Sequence, residues 1–166
     1  MESMYAEAGC KIVNTAKSVA LRILVVLAVI VTFVFATLLA NRILFALGIV
    51  LGCVVVWMWP RFNMEWEYIF VDGQLDFDTI SGGEKRKTRL RIDFDDVEVI
   101  APLTSHSLDS YRNNKIYNYS SLKKDARIYV VVVRLNEQGL CQIYFEPSDK
   151  MLDIMKLKAP RKVMGL

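Results

Sequence analysis

Histidine is nearly missing from this 166-residue chain, which holds one, and cysteine (three), proline (four) and glycine (eight) are all sparse. A zinc cage needs three or four grouped ligands, which a single histidine and three scattered thiols do not supply. Cys10, Cys53 and Cys141 show no C-x-x-C spacing and are too few for a disulfide scaffold. We expect three free thiols in a reducing compartment. The low glycine and proline content excludes collagen-like and low-complexity classes. Neither G-x-G-x-x-G nor G-x-x-x-x-G-K-[ST] occurs, so neither a phosphate-cradling loop nor a cofactor is expected.

Charge is missing from one third of the molecule. Residues 1–59 hold four of the 21 basic and two of the 18 acidic side chains, whereas 60–166 are nearly balanced at +1. Between Ile23 and Trp59 the only strongly polar residues are Asn41 and Arg42, which separate apolar runs of 18 (23–40) and 17 (43–59) residues. At ~1.5 Å per residue each run spans about 26 Å as a helix, the short end of what a ~30 Å hydrocarbon core accepts. One unbroken helix of about 55 Å is too long for tilt to absorb. The pattern predicts a two-helix transmembrane hairpin turning at 40–43. The first run is too long for a secretory leader and the second follows like a stop-transfer segment.

Basic residues orient the hairpin. Lys11, Lys17, Arg22 and Arg61 flank its outer ends and only Arg42 lies at the turn, which places both termini in the cytoplasm. Trp57 and Trp59 suit an interfacial anchor, and Pro60 stops the helix. Small residues Ala28, Thr32, Ala36 and Ala40 recur every four positions on the first run, and Gly48 and Gly52 form a G-x-x-x-G pair on the second. Such residues let helices approach closely, either within the hairpin or between copies as a homo-oligomer. Ahead of the spans, Met4, Ala8, Ile12, Val13 and Ala16 fall at roughly helical spacing, so 1–18 is expected to form an interfacial helix or an extension of the first span.

After Arg61 the hydrophobic period changes to two. Trp66, Tyr68 and Phe70 alternate with polar neighbours, Asp72-Gly73 follows, and Leu75 and Phe77 alternate with Asp76 and Asp78. This is the signature of a hairpin with a type I′ turn, in which Phe70 opposes Leu75 and Tyr68 opposes Phe77. Further strands are expected at 85–92, 96–102, 115–120, 127–135 and 140–145, then a helix capped by Ser148 with Met151, Leu152, Ile154 and Met155 on its apolar face. Lys156 and Lys158 suit its C-terminal dipole. About seven strands followed by one helix is the order of a pleckstrin-homology-like (PH-like) bent sheet or open barrel.

The runs Glu65-Trp66-Glu67-Tyr68 and Asp72-Gly73-Gln74-Leu75-Asp76-Phe77-Asp78 open a longer pattern. With Ala101-Pro102, Glu146-Pro147 and Pro160-Arg161-Lys162-Val163, it resembles an uncharacterised family of small bacterial membrane proteins. The resemblance covers most of residues 11–163. It implies an N-terminal membrane hairpin joined to a PH-like cytoplasmic domain, and it carries over no activity and no site residue. The expected division is an N-terminal cytoplasmic or interfacial segment (1–22), the hairpin (23–59) and the PH-like domain (60–166), in the cell membrane.

Candidate chemistry is thin. His106 lies in a polar loop, and Ser120-Ser121-Leu122-Lys123 matches S-x-x-K without its companions S-D-N and K-T-G. A Ser/Lys hydrolase is a remote alternative, and no enzyme is expected. Lys85, Arg86, Lys87, Arg89 and Arg91 form a basic cluster. Such a cluster near a bilayer can add about 1 kcal/mol per cation of attraction to anionic lipid. Acidic Asp76, Asp78 and Glu67 on the neighbouring strands account for the same residues as a cross-strand charge ladder, with Asp76 and Asp78 beside Lys87 and Arg89. The tail Lys156, Lys158, Arg161 and Lys162 is expected to be a solvated helix end. A net charge of +1 on 60–166 and no evident stacking platform speak against nucleic acid. The expected role is a non-catalytic, membrane-held interaction module for a protein partner, with sheet edges and the polar stretch 103–126 as contact surfaces. Anionic-lipid sensing through Lys85–Arg91 is the alternative.

Overall fold

A computed structural model of the chain describes residues 4–14, 16–59, 64–83, 85–136 and 138–165. The described residues form two units: a sheet domain made of the chain up to Ile12 and from Met64 onward, and a helical unit between them. Pro60 and Arg61, to which the sequence assigns a helix stop and a flanking charge, lie outside the described residues.

The sheet domain contains eight strands among its described residues, one more than expected. The extra strand is β1 (Tyr5–Lys11), which pairs antiparallel with β2 (Met64–Val71) from Tyr5 opposite Val71 to Lys11 opposite Glu65. The helical expectation for 1–18 is therefore corrected over Tyr5–Lys11, whereas 16–18 are helical and extend the first span. Ala6, Ala8 and Cys10 face the core while Tyr5, Glu7 and Lys11 face outward, a period-two pattern. The inward side chains are so small that the alternation hardly registers as hydrophobic. Gly9 makes the pairing possible, because a Cβ there would sit 2.8 Å from the Trp66 carbonyl oxygen.

β2 and β3 (Gln74–Ser81) form the expected hairpin, with Phe70 opposite Leu75 and Tyr68 opposite Phe77. Its turn residues Asp72 and Gly73 both take positive φ (49° and 106°), as a type I′ turn requires. β4 (Lys85–Asp93) completes an antiparallel sheet of order β1-β2-β3-β4. A second sheet has the order β5-β7-β8-β6, from β5 (Val97–Pro102), β6 (Lys115–Asn118), β7 (Tyr129–Leu135) and β8 (Gly139–Phe145). β6 runs parallel to β8 and the other pairs are antiparallel.

The core lies between the sheets and under the C-terminal helix α3 (Asp149–Lys158). Tyr68, Phe70, Leu75, Phe77, Ile143 and Phe145 are fully buried there, with Met151, Leu152 and Met155 from α3. Tyr68, Phe77 and Phe145 meet edge-on, with centroids 5.5–5.8 Å apart. Each such pair adds about 0.5–1.5 kcal/mol beyond its area burial. Ser148 caps α3 by accepting from Met151 N at 3.3 Å. Val130 and Val132 face a second apolar cluster, with Val99, Ala101 and Leu108 of a 3-10 helix (His106–Tyr111). Burial on both faces explains why β7 is a continuous apolar run.

The expected solvated tail is corrected at Lys162. Its Nζ donates to the carbonyls of Phe94 (2.7 Å) and Asp95 (3.0 Å), closing the turn after β4. Val163 then bridges Ile100, with Ile100 N donating to Lys162 O at 2.7 Å, so the C-terminal segment covers the outer edge of β5.

The helical unit holds α1 (Ala16–Leu38) and α2 (Arg42–Met58). α1 is long and apolar enough to cross a membrane, and only 6% of its most apolar window is buried in the molecule. α2 is a shorter apolar helix of 17 residues. The helices turn at 39–41, a little before the expected place. Asn41 N donates to Ala36 O at 3.0 Å, and Asn41 Oδ1 accepts from Ile43 N and Leu44 N, capping α2. Ala40 takes the left-handed conformation (φ 48°) that usually falls to glycine. A Cβ in that region costs about 1–2 kcal/mol. Ala40→Gly should therefore stabilise the helical pair by about 1 kcal/mol, read as later loss of helical signal on heating in micelles.

Candidate functional site

The charged face of the first sheet is the best-defined candidate surface. On each strand, alternation turns one set of side chains to the core and the other outward. The outward set meets across the strands: Glu67 of β2 lies opposite Asp78 of β3, and Asp76 lies opposite Arg91 of β4. Arg91 grips Asp76 with two bonds, Nε to Oδ1 at 2.7 Å and Nη2 to Oδ2 at 2.6 Å. Arg86 bridges Glu67 and Asp78, lying 3.7 Å from the latter.

The expected ladder is thus present with different partners. The register shifts between Phe77 and Asp78, so Asp78 faces Thr88 and Ile80 faces Arg86. Arg89 becomes the extra residue of a bulge, and every position before it changes face. Arg86, not Lys87, consequently joins the ladder. Lys87 lies opposite Thr79, whose hydroxyl accepts from Arg89 Nε at 3.0 Å. Lys85 and Lys87 have no ion-pair partner among the described residues and are exposed.

β1 adds a member that the sequence pattern did not single out. Tyr5 OH donates to Glu7 at 2.6 Å, and the Glu7 carboxyl in turn contacts Glu67. Burial, then the contact with Glu7, pushes Glu67 above the usual carboxyl range, while the bonds from Tyr5 and Glu67 hold Glu7 below it. Lys11 pairs with Glu65 at 3.2 Å farther along the same two strands. Nearly all of the Asp78 side chain is buried, with 5% exposed, and Oδ1 has no hydrogen-bond partner.

The other sequence candidates are scattered. Ser120 is 1% exposed and its hydroxyl donates to Asn118 Oδ1 at 2.7 Å, while Lys123 is exposed, so S-x-x-K assembles no nucleophile and base. His106 opens the 3-10 helix and lies 3.3 Å from Asp109, which also takes Arg112 at 2.7 Å. These three line an open groove of about 330 Å³ with Ser105 and Gln142. All three cysteines are free, and burial pushes the Cys10 thiol up to about 11, its Sγ 3.0 Å from Tyr68 OH.

Of the small-residue stripe, Ala36 is buried, Thr32 is half-buried with its hydroxyl on Ala28 O at 2.8 Å, and Ala28 and Ala40 are exposed. Gly48 packs under the Phe33 ring, which meets Phe45 edge-on at 5.4 Å, whereas a Cβ on Gly52 would meet nothing within 4 Å. Only Gly48 of the pair works within the helical unit.

Two sheets over a shared core, followed by a C-terminal helix, define a PH-like domain. Over residues 2–165 the chain matches a family described as Bacterial PH-like domain (DUF6106), and it belongs to that family. No curated protein and no solved structure matches it.

Arg86→Met should cost about 1–3 kcal/mol, because it strips two low-exposure carboxylates of their counter-charge while the lost guanidinium is itself half in solvent. Lys87→Met should stay within about 0.5 kcal/mol of the parent. Thermal unfolding followed by the β signal measures both. Glu67 also gives a pH signature. A carboxyl whose folded pKa is raised contributes stability below its ordinary pKa and loses it as pH rises through the folded value. Glu67→Gln cannot ionise, so its stability relative to the parent should climb as pH rises above the usual glutamate range.

Proposed function

We propose that the protein is a non-catalytic interaction module whose PH-like domain is held at the cytoplasmic face of the cell membrane by its two helices. One observation carries the anchoring. Ile12 N donates to Met64 O at 3.1 Å, so the chain leaves and re-enters the sheet domain at hydrogen-bonded neighbours. Whatever the intervening segment crosses, it crosses an even number of times, because β1 and β2 cannot pair through a bilayer. Two crossings fit α1 and α2, each apolar and mostly exposed in the molecule. The positive residues Lys11, Lys17, Arg22 and Arg61 at the outer ends, against Arg42 at the turn, favour the cytoplasmic side for the sheets.

A binding role is supported by what the surface offers, which is paired charges and sheet edges, with no assembled nucleophile and base among the described residues. Lipid sensing through Lys85–Arg91 has weaker support, since Arg86 and Arg91 are committed to carboxylates of the same sheet. The protein should stay with membranes through alkaline carbonate washing. Tags at both ends should resist protease added outside sealed cells and be cut when the cells are opened. Release by carbonate, or cutting of either tag from outside, overturns the anchoring.

A further inference from the structure

β4 ends its sheet, and no backbone group outside β3 bonds to Lys85–Arg91 among the described residues. The described residues leave few such edges. α3 packs against β1, the segment at Val163 covers β5, and β6 is only four residues long. β4 is nine residues long, and Lys85 through Arg89 are all exposed. An open edge of this length is a template for another strand.

We propose that the β4 edge accepts an extended acidic segment of a partner protein as a fifth strand of the first sheet. This deepens the interaction-module reading and rests on it. Main-chain hydrogen bonds would supply affinity, and alternate side chains would supply selection. Charge decides the occupant. Among the described residues, Lys85 and Lys87 have no partner carboxylate, and Arg89 donates Nε to the Thr79 hydroxyl without a carboxylate partner. Carboxylates at alternate positions of an added strand would face them.

A second copy of this chain fits poorly, because antiparallel β4 pairing sets like charges opposite one another. A flat anionic bilayer also fits poorly. Arg86 and Arg91 are neutralised by Glu67, Asp78 and Asp76, which leaves uncompensated charge along a line and not over a plane.

The test uses the full chain in nanodiscs of neutral phosphatidylcholine, with amide hydrogen exchange at Thr88 and Arg89 as the local readout. The probes are an octapeptide of alternating Glu and Thr, its Lys/Thr counterpart, and nanodiscs carrying anionic lipid. The acidic peptide should slow exchange along β4 and bind at least about tenfold more tightly than the basic one. Lys85→Glu with Lys87→Glu should reverse that order, a gain that misfolding cannot mimic. Equal binding of the two peptides, no slowing with the acidic one, or slowing by anionic lipid instead would overturn the proposal. Release of the chain by carbonate would remove the anchoring and leave this result standing, so the two failures are separable.

Discussion

The pairing of β1 with β2 is the constraint from which the remaining features follow. A strand made before the apolar helices is joined, residue for residue, to the strand made after them. That join closes a chain segment of about fifty residues, and closing a long loop costs little more entropy than closing a moderate one. Its cost is met by seven opposed residue pairs and the burial of Ala6, Ala8 and Cys10 on the core. The geometry leaves a narrow tolerance, since position 9 admits no side chain against the Trp66 carbonyl. On the proposed reading, the same join returns both helix ends to one side of the bilayer.

A second constraint is charge. The outward face of the first sheet brings Glu7, Glu67, Asp78 and Asp76 into one strip, and carboxylates so placed repel one another. Two arginines from the following strand, Arg86 and Arg91, offset the charge of the strip by pairing with Glu67, Asp78 and Asp76. Much of a cluster that looks like a ligand site in the sequence is therefore consumed in holding the sheet together. What is left over, Lys85, Lys87 and most of Arg89, lies on an edge.

Much of this architecture was legible in the residues. Asp72-Gly73 between alternating aromatics fixed a hairpin and its register, and Ser148 with Met151, Leu152 and Met155 fixed the closing helix. Charge depletion marked the helical unit. β1 was not legible, because alanine and cysteine carry too little hydrophobicity to announce a period of two. The pairing partners of the basic strand were missed for another reason: a one-residue bulge inverts every side chain beyond it, and no local residue signals the bulge. Lys162 looked solvated because its acceptors, the carbonyls of Phe94 and Asp95, are distant in sequence.

Cross-linking across the β1–β2 join in native membranes tests the account most directly. With Cys10 and Cys53 replaced by serine, Lys11→Cys and Glu65→Cys occupy opposed positions and should form an intramolecular disulfide on mild oxidation. The mismatched pair Tyr5→Cys and Glu65→Cys, at opposite ends of the ladder, should remain reduced. Failure of the matched pair to cross-link, or labelling of its two thiols from opposite sides of sealed vesicles, would contradict the account.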